Sequence, residues 1–277
     1  MIGDPYQLRH ITSVGEEAEA RFAKRAGVTD LLPRLSYVRN STYDAAEAAL
    51  SEAGGHRVFL REHYRCHPEI VAFPARAVYK GRDQLLVRTT PEQYTARIPP
   101  PLHGLVWHHV AGQARRVRSS WINDAEIDAI IRLLTEWSAA GHLANTDLSI
   151  GIVTPFRPQA DAIRDRVRRL DLWASRPPPT VGAAHAFQGD ERDVMLLSSV
   201  VALGIWPGSA SWVSGEVNLL NVAVTRARAG LHVVGDEGAC RETGGALRDL
   251  VACARLRACD GVANGVGPDT SLAVSTG

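Results

Sequence analysis

Ile150-Gly151-Ile152-Val153-Thr154-Pro155-Phe156-Arg157-Pro158-Gln159 is the stretch whose reading decides the fold class. Its apolar, β-branched half has the composition of a buried strand. The strand stops at a hydroxyl and a proline and turns directly into a helix, predicted over residues 159–170. The same alternation repeats on either side. Apolar runs at 57–61, 104–110, 148–153, 180–184, 193–201 and 230–235 read as strands, with helical spacing between them. The clearest helix is 123–140, where Ile127, Ile130, Ile131, Leu134 and Trp137 form one stripe and Asn123 is the cap. Strand–helix alternation predicts an α/β fold with a largely parallel sheet and helices on both faces.

The first 55 residues differ. Residues 16–26 and 43–53 read as surface helices rich in Ala and Glu, without enough strands for a sheet of their own. Residues 86–103 and 174–179 are Pro-rich connections. From about residue 260 the chain is rich in Gly, Ser and Ala without periodicity, and disorder is expected there.

A chain of 277 residues, 45% apolar, suffices for one full core and part of a second domain. A formal charge of +1 excludes a globally basic nucleic-acid binder but not a local basic groove. Lys24 and Lys80 are the only lysines, so the positive charge is nearly all arginine. That suits fork-like contacts to phosphate, although biased coding composition gives the same excess. Cys66, Cys240, Cys253 and Cys259 show no CxxC spacing, which argues against a disulfide framework or a zinc site and fits a reducing cytoplasm. His63, Cys66 and His67 are close in sequence but are expected on different faces, so no metal site is assigned. The opening residues do not read as a signal peptide, and no apolar run approaches the roughly 20 residues that span a membrane.

Five segments carry candidate chemistry. Gly3-Asp4-Pro5-Tyr6-Gln7-Leu8 is a turn whose glutamine can hold a water or a phosphate oxygen, though Gly-Asp-Pro is also an ordinary turn. In Glu62-His63-Tyr64-Arg65-Cys66-His67-Pro68-Glu69-Ile70, Tyr64 offers a flat face for a base and Arg65 a fork for phosphate. A plain surface Tyr–Arg pair would look the same. Thr154-Pro155-Phe156 ends a strand where backbone N–H groups can meet phosphate, and a simple capped helix is the other reading. His185-Ala186-Phe187-Gln188-Gly189-Asp190-Glu191-Arg192-Asp193 is a dense polar turn before an apolar strand; a solvated loop is its bland counterpart. Last, residues 218–230 form an apolar helix expected to end in Arg226 and Arg228. The helix dipole accounts for Arg228, whereas Arg226 needs an anionic partner.

Taken in this order, the five segments resemble motifs III to VI of superfamily 1 helicases, in the branch that also contains RNA-decay and DNA-repair helicases. The resemblance covers residues 3 to about 256 and is strongest to bacterial ATP-binding proteins of that branch. It implies a RecA-like P-loop NTPase fold, with a complete second helicase domain (56–258), a remnant of the first RecA-like domain with its linker (1–55) and a tail (259–277). It further implies that Gln7, Arg65 and Arg226 reach the γ-phosphate of ATP bound with Mg2+. Tyr64 would lie near the base, and Gln188, Gly189 and Glu191 would face the nucleotide cleft. Thr154, Pro155 and His185 would contact single-stranded DNA or RNA, with 5′ to 3′ polarity.

Two departures stand out. Where the family has a threonine four residues before the phenylalanine of the fourth segment, this chain has Ala183. Neither lysine lies in a Gly-Lys-Ser/Thr loop: Arg25 follows Lys24 and Gly81 follows Lys80. Val233-Val234-Gly235-Asp236-Glu237 reads as the end of the last sheet strand rather than as a magnesium site. The chain is therefore expected to lack ATPase activity alone and to be completed by a first RecA-like domain in cis or in trans. A non-catalytic nucleic-acid-binding module is the other reading.

Overall fold

A computed structural model of the protein describes residues 3–8, 12–80, 84–95, 97–145, 147–187 and 189–258. The amino-terminal part carries helices α1 (Glu16–Ala26), α2 (Leu32–Leu35) and α3 (Thr42–Glu52). A short parallel pair follows, β1 (Glu62–His63) with β2 (Leu86–Val87), flanking α4 (Pro68–Ala77) and preceding α5 (Glu92–Thr95). Strand β3 (Gly104–His109) opens the main sheet, and an antiparallel hairpin, β4 (Ala114–Val117) and β5 (Ser120–Asn123), leads into α6 (Asp124–Ala139). Then come β6 (Ile150–Val153), α7 (Arg157–Arg168), β7 (Thr180–Gly182) and β8 (Arg192–Ser198). The chain closes with α8 (Pro207–Gly215), α9 (Val217–Thr225), β9 (Ala227–Gly235), α10 (Glu237–Thr243), α11 (Gly245–Cys253) and β10 (Arg255–Ala258).

The sheet has the order β10-β3-β9-β8-β6-β7, and every pairing in it is parallel. Its strands are apolar at successive positions because both faces are covered. Met195 and Leu197 of β8, with Leu231 and Val233 of β9, face one core shared with α4, α8, α9 and α11. Val194 and Leu196 face the other, filled by Ile127, Ile130 and Leu134 of α6 and Ile163 and Val167 of α7. This is the α/β class read from the sequence, in its RecA-like form with helices on both faces.

Helix α6 starts where the capping signal placed it: the Asn123 side chain accepts from the Glu126 N–H. Four expectations need correction. Residues 57–61 form no strand: their chain is extended, and pairing begins only at Glu62. Arg228 does not end a helix, since α9 stops at Thr225 and Arg228 lies on β9, with its guanidinium 3.7 Å from the Asp193 carboxylate. A strand-borne arginine faces a partner strand's carboxylate, so the dipole account does not apply. Strand β9 is not the last strand, because β10 pairs beyond it against β3. Strand β8 ends at Ser198 rather than 201, where Val200 takes a positive φ of 64°. The expected tail, 259–277, lies outside the described residues.

The 3-10 turn Pro100–Leu102 presses on β9: a Cβ at Gly230 would stand 1.7 Å from the Leu102 carbonyl oxygen. Gly230→Ala must therefore displace backbone, and a loss of about 2–3 kcal/mol is expected, read as a lower urea midpoint at unchanged m-value.

Candidate functional site

Residues from four distant segments converge at the amino-terminal edge of β8 and β9. Arg192 and Ala227 are paired there, and the Arg192 N–H donates to the Arg226 carbonyl (2.9 Å). Glu191 and Arg226 are thus the residues just before two neighbouring strands, held side by side by the sheet.

The turn at Arg65 is built separately and then clamped. The Cys66 N–H donates to Nε2 of His63 (2.9 Å), and Tyr94 Oη donates to the Arg65 carbonyl (2.8 Å). The His67 N–H reaches the Arg228 carbonyl (2.7 Å), tying this turn to β9. Pro68 then starts α4 with His67 as its cap. His63 must be neutral to accept: burial, then the Arg65 guanidinium, push its imidazole down to about 4, against an opposing pull from Glu191. His63 was not singled out as functional. Its signal, a histidine three residues before the cysteine whose N–H it binds, is too short-range to read without the fold.

Gln7 arrives from the amino-terminal turn. That turn is held by Asn221 of α9, whose Nδ2 donates to the Tyr6 carbonyl (2.7 Å), and by Tyr79, whose Oη donates to Asp4 Oδ2 (2.7 Å). Asn221 and Tyr79 also escaped the sequence reading; an asparagine buried inside an apolar helix is the clue that was present. Nη2 of Arg226 donates to Oε1 of Gln7 (3.1 Å), and Nη1 of Arg65 donates to Oε1 of Glu191 (2.8 Å).

The structure thus brings together Gln7, Arg65, Glu191 and Arg226. Arg226 is only 5% exposed, and Nε of both arginines is buried with no partner among the described residues. Burial, then the Arg65 charge, pull the Arg226 guanidinium below its ordinary range. A buried guanidinium and a half-buried one, each with an unmet buried Nε donor among the described residues, are chemically suited to an anion. The Arg65–Glu191 pair is about one-third exposed on each side and worth little, so an incoming anion exchanges for it readily. A cleft of about 920 Å³ opens beside these groups, lined by Gln7, Arg65, His63, Tyr79 and Tyr43. Tyr64 stands 67% exposed at a second hollow of about 430 Å³, which it shares with Arg65, Tyr94, Arg97 and Arg228. Gly189 lies nearby in a left-handed turn with φ of 83°, and Gln188 is outside the described residues.

Thr154, Pro155 and His185 do not join this cluster. They follow β6 and β7 at the opposite, carboxyl-terminal edge of the sheet. His185 is exposed, whereas Thr154 and Pro155 are buried, and the Thr154 hydroxyl has no partner among the described residues. Among the described residues no group of histidine, cysteine and acidic side chains is arranged for a metal, and no helix is long and apolar enough to cross a membrane. His63 accepts from the Cys66 N–H, Cys66 Sγ donates to the Thr225 carbonyl, and His67 Nδ1 accepts from the Glu69 N–H.

Comparison with known proteins gives the following. The family described as "AAA domain" matches residues 45–238. The chain is 30% identical over 261 residues to human RNA helicase Mov10l1, covering 85% of this chain and 20% of that protein. It is 29% identical over 191 residues to the mouse 5′-3′ DNA helicase ZGRF1, covering 68% of this chain and 10% of the relative. The chain therefore spans a fifth or less of the length of these curated relatives. A crystal structure of the C-terminal domain of a possible DNA helicase from Lactobacillus plantarum superposes with a TM-score of 0.39 at 14% identity, over 70% of this chain and 98% of that one.

Proposed function

Since the chain belongs to the AAA-domain family, within the superfamily 1 helicases, we propose that it is the C-terminal part of an ATP-dependent motor acting on single-stranded DNA or RNA. One observation carries this reading: Arg65 and Arg226, near enough that the Arg65 charge acts on Arg226, have buried Nε groups with no partner among the described residues, and Gln7 is bonded to Arg226. Neither a solvated loop nor a capped helix accounts for that. The residues present fit the γ-phosphate of ATP. Arg65 and Arg226 supply positive charge, Gln7 a polar contact, and Glu191 a carboxylate bonded to Arg65 beside the cleft, with Gly189 next to it in sequence; Gln188 joins this set by its place in the sequence motif alone. Tyr64 supplies the flat face beside the base. ATP bound with Mg2+ supplies the phosphoryl group whose transfer is stabilised mainly by positioned charge.

In this reading, residues 1–55 belong with a first RecA-like domain and 56–258 form the second. The first domain, in cis or in trans, brings the phosphate loop and the magnesium-binding carboxylates. The chain alone then turns over no ATP; measurable hydrolysis with magnesium and single-stranded nucleic acid would overturn that. Thr154, Pro155 and His185 line the strand path at the other edge of the sheet. The paired sensors weigh against a purely nucleic-acid-binding module, which has no use for a desolvated arginine pair.

Pyrophosphate tests the cleft directly. In calorimetric titration the chain is expected to bind it, and Arg65→Ala and Arg226→Ala are each expected to weaken binding about tenfold, the loss of one charge-assisted contact. Equal affinity in all three proteins would remove the basis for the reading.

A further inference from the structure

A second feature lies at the carboxyl-terminal edge of the sheet, away from the arginine cleft. The loop after β8 exposes Leu203 (74%) and Trp206 (68%), large apolar side chains that the core does not use. The loop is not loose. The Ala114 N–H of β4 donates to the Leu203 carbonyl (2.8 Å). Gly204, at φ of 88°, lets the chain pass so near that a Cβ would meet the Ala114 carbonyl oxygen at 2.8 Å. Trp206 is then the cap residue of α8, its ring lying over Gly208.

The β4–β5 hairpin supplies the charge. Arg116 stands opposite Trp121 in the register, so the two share a face. Trp121 Nε1 donates to Ser209 Oγ (2.9 Å), one turn into α8 from Trp206, so that face looks toward α8. Arg116 and Arg118 are exposed, and Arg116 Nε donates to the Arg118 carbonyl across the hairpin tip (3.1 Å). Among the described residues neither has a carboxylate partner, whereas Arg115 is paired with Asp124. Helix α8 also touches the segment of the strand-path residues: the rings of Trp212 and Phe156, the residue after Pro155, are 5.7 Å apart.

An exposed indole on a pinned loop, with a hairpin bearing two arginines without carboxylate partners among the described residues tied to the same helix through Trp121 and Ser209, fits a polyanion with aromatic faces. Base stacking on an aromatic ring with arginines on the phosphates is how sequence-tolerant single-strand sites are built. An apolar protein surface has no need of the two charges. We propose that Trp206, with Leu203 beside it and Arg116 and Arg118 across from it, forms a stacking platform that continues the single-strand path beyond Thr154, Pro155 and His185. It rests on the reading above that this edge of the sheet carries the strand.

Fluorescence anisotropy of labelled oligo(dT) and oligo(U) on the full chain tests it. Trp206→Ala is expected to weaken binding about tenfold, and Trp206→Phe to keep most of it. The double variant Arg116→Ala, Arg118→Ala is expected to weaken binding and to lower the slope of log affinity against log salt by roughly 1.4, as two phosphate contacts on a single strand dictate. Both oligomers respond alike, because stacking and phosphate contacts are common to DNA and RNA. A wild-type chain that binds neither oligomer at low salt overturns the proposal, and so does an affinity indifferent to Trp206. An effect of Trp206→Ala with an unchanged salt slope in the arginine variant also overturns it, in favour of an apolar protein partner. Pyrophosphate titration on the same variants separates the two readings. Strand binding that ignores Trp206 leaves the cleft intact as a proposal, and a cleft indifferent to Arg65 and Arg226 leaves the platform standing.

Discussion

Arg226→Ala, in a motor completed by a RecA-like domain bearing a phosphate loop, is expected to lower ATP turnover by about 10³-fold or more, with a much smaller change in nucleotide affinity. The asymmetry follows from where the charge acts. Arg226 donates to Gln7 and to the Asp190 carbonyl, both neutral groups, and its Nε is buried with no partner among the described residues. The site therefore holds a desolvated positive charge whose best partner is the extra negative charge of a phosphoryl group in transfer. A ground-state phosphate recovers only part of that. Arg226→Lys is expected to rescue poorly, because an ammonium cannot span two acceptors as a planar fork does. Steady-state ATPase assays with saturating single-stranded nucleic acid separate the outcomes. A kcat within tenfold of the parent would remove Arg226 from the catalytic step.

Glu126→Ala is expected to cost about 3–5 kcal/mol, the largest stability loss anticipated for a single side chain here. Glu126 lies in the first turn of α6 and is fully buried. Its carboxyl group accepts from Ser198 Oγ (2.5 Å), Ser199 Oγ (3.2 Å), the Val200 N–H (2.9 Å) and Asn123 Nδ2 (3.1 Å). Removing it strands four donors at once and releases Val200, a β-branched residue held at positive φ. Glu126→Gln keeps the shape and isolates the charge. Burial pushes the Glu126 carboxyl up to about 7, with Ser198, Val200, Ser199 and Asn123 pulling back. Between its unfolded value, 4.5, and about 7 the folded chain holds a proton that the unfolded chain has lost. The charge penalty is therefore full above pH 7, shrinks as pH falls and vanishes near 4.5, a span of roughly 3 kcal/mol. His63 acts in the opposite sense: its depressed pKa withdraws stability as pH falls from 6.5 toward 4. Subtracting the Glu126→Gln profile from the parent's cancels His63. Urea midpoints should show that difference falling from pH 5 to about 7 and levelling above it, and a flat difference would mean that the Glu126 carboxyl is not shifted upward by folding.

The parallel sheet and its two apolar faces were legible because period and composition report burial directly, as in 194–197 and 231–234. Arg226 was legible as an arginine next to an apolar run that demands a partner, whereas Arg65 stood out only as a fork beside Tyr64, with a plain surface pair as the other reading. What could not be read were contacts between residues far apart in sequence. Asn221 looks like one polar residue in an apolar helix until the turn at Tyr6 lies against it, 215 residues away. Glu126 looks like an ordinary first-turn acid until the end of β8 and the two residues after it, Ser198, Ser199 and Val200, close around it. The strand expected at 57–61 has the right composition but lacks a neighbour to pair with among the described residues. Arg228 was assigned to a helix end because the apolar spacing of 218–225 does not announce where it stops. The sheet also divides the candidate residues between its two edges, which spacing along the chain does not reveal.

That division gives β8 a mechanical character. Its amino end adjoins Glu191 and Arg226, and its carboxyl end runs into Ser199, Val200 and the loop that displays Trp206. Seven residues make a rod on the order of 23 Å long, clamped by β6 and β9 along both sides. A close-packed interior scarcely compresses, so a push delivered at one end arrives at the other nearly undiminished. On the two roles proposed above, phosphate at Arg226 and a strand at Trp206 act on the two ends of one stiff shaft, and work done at either is felt as force at the other.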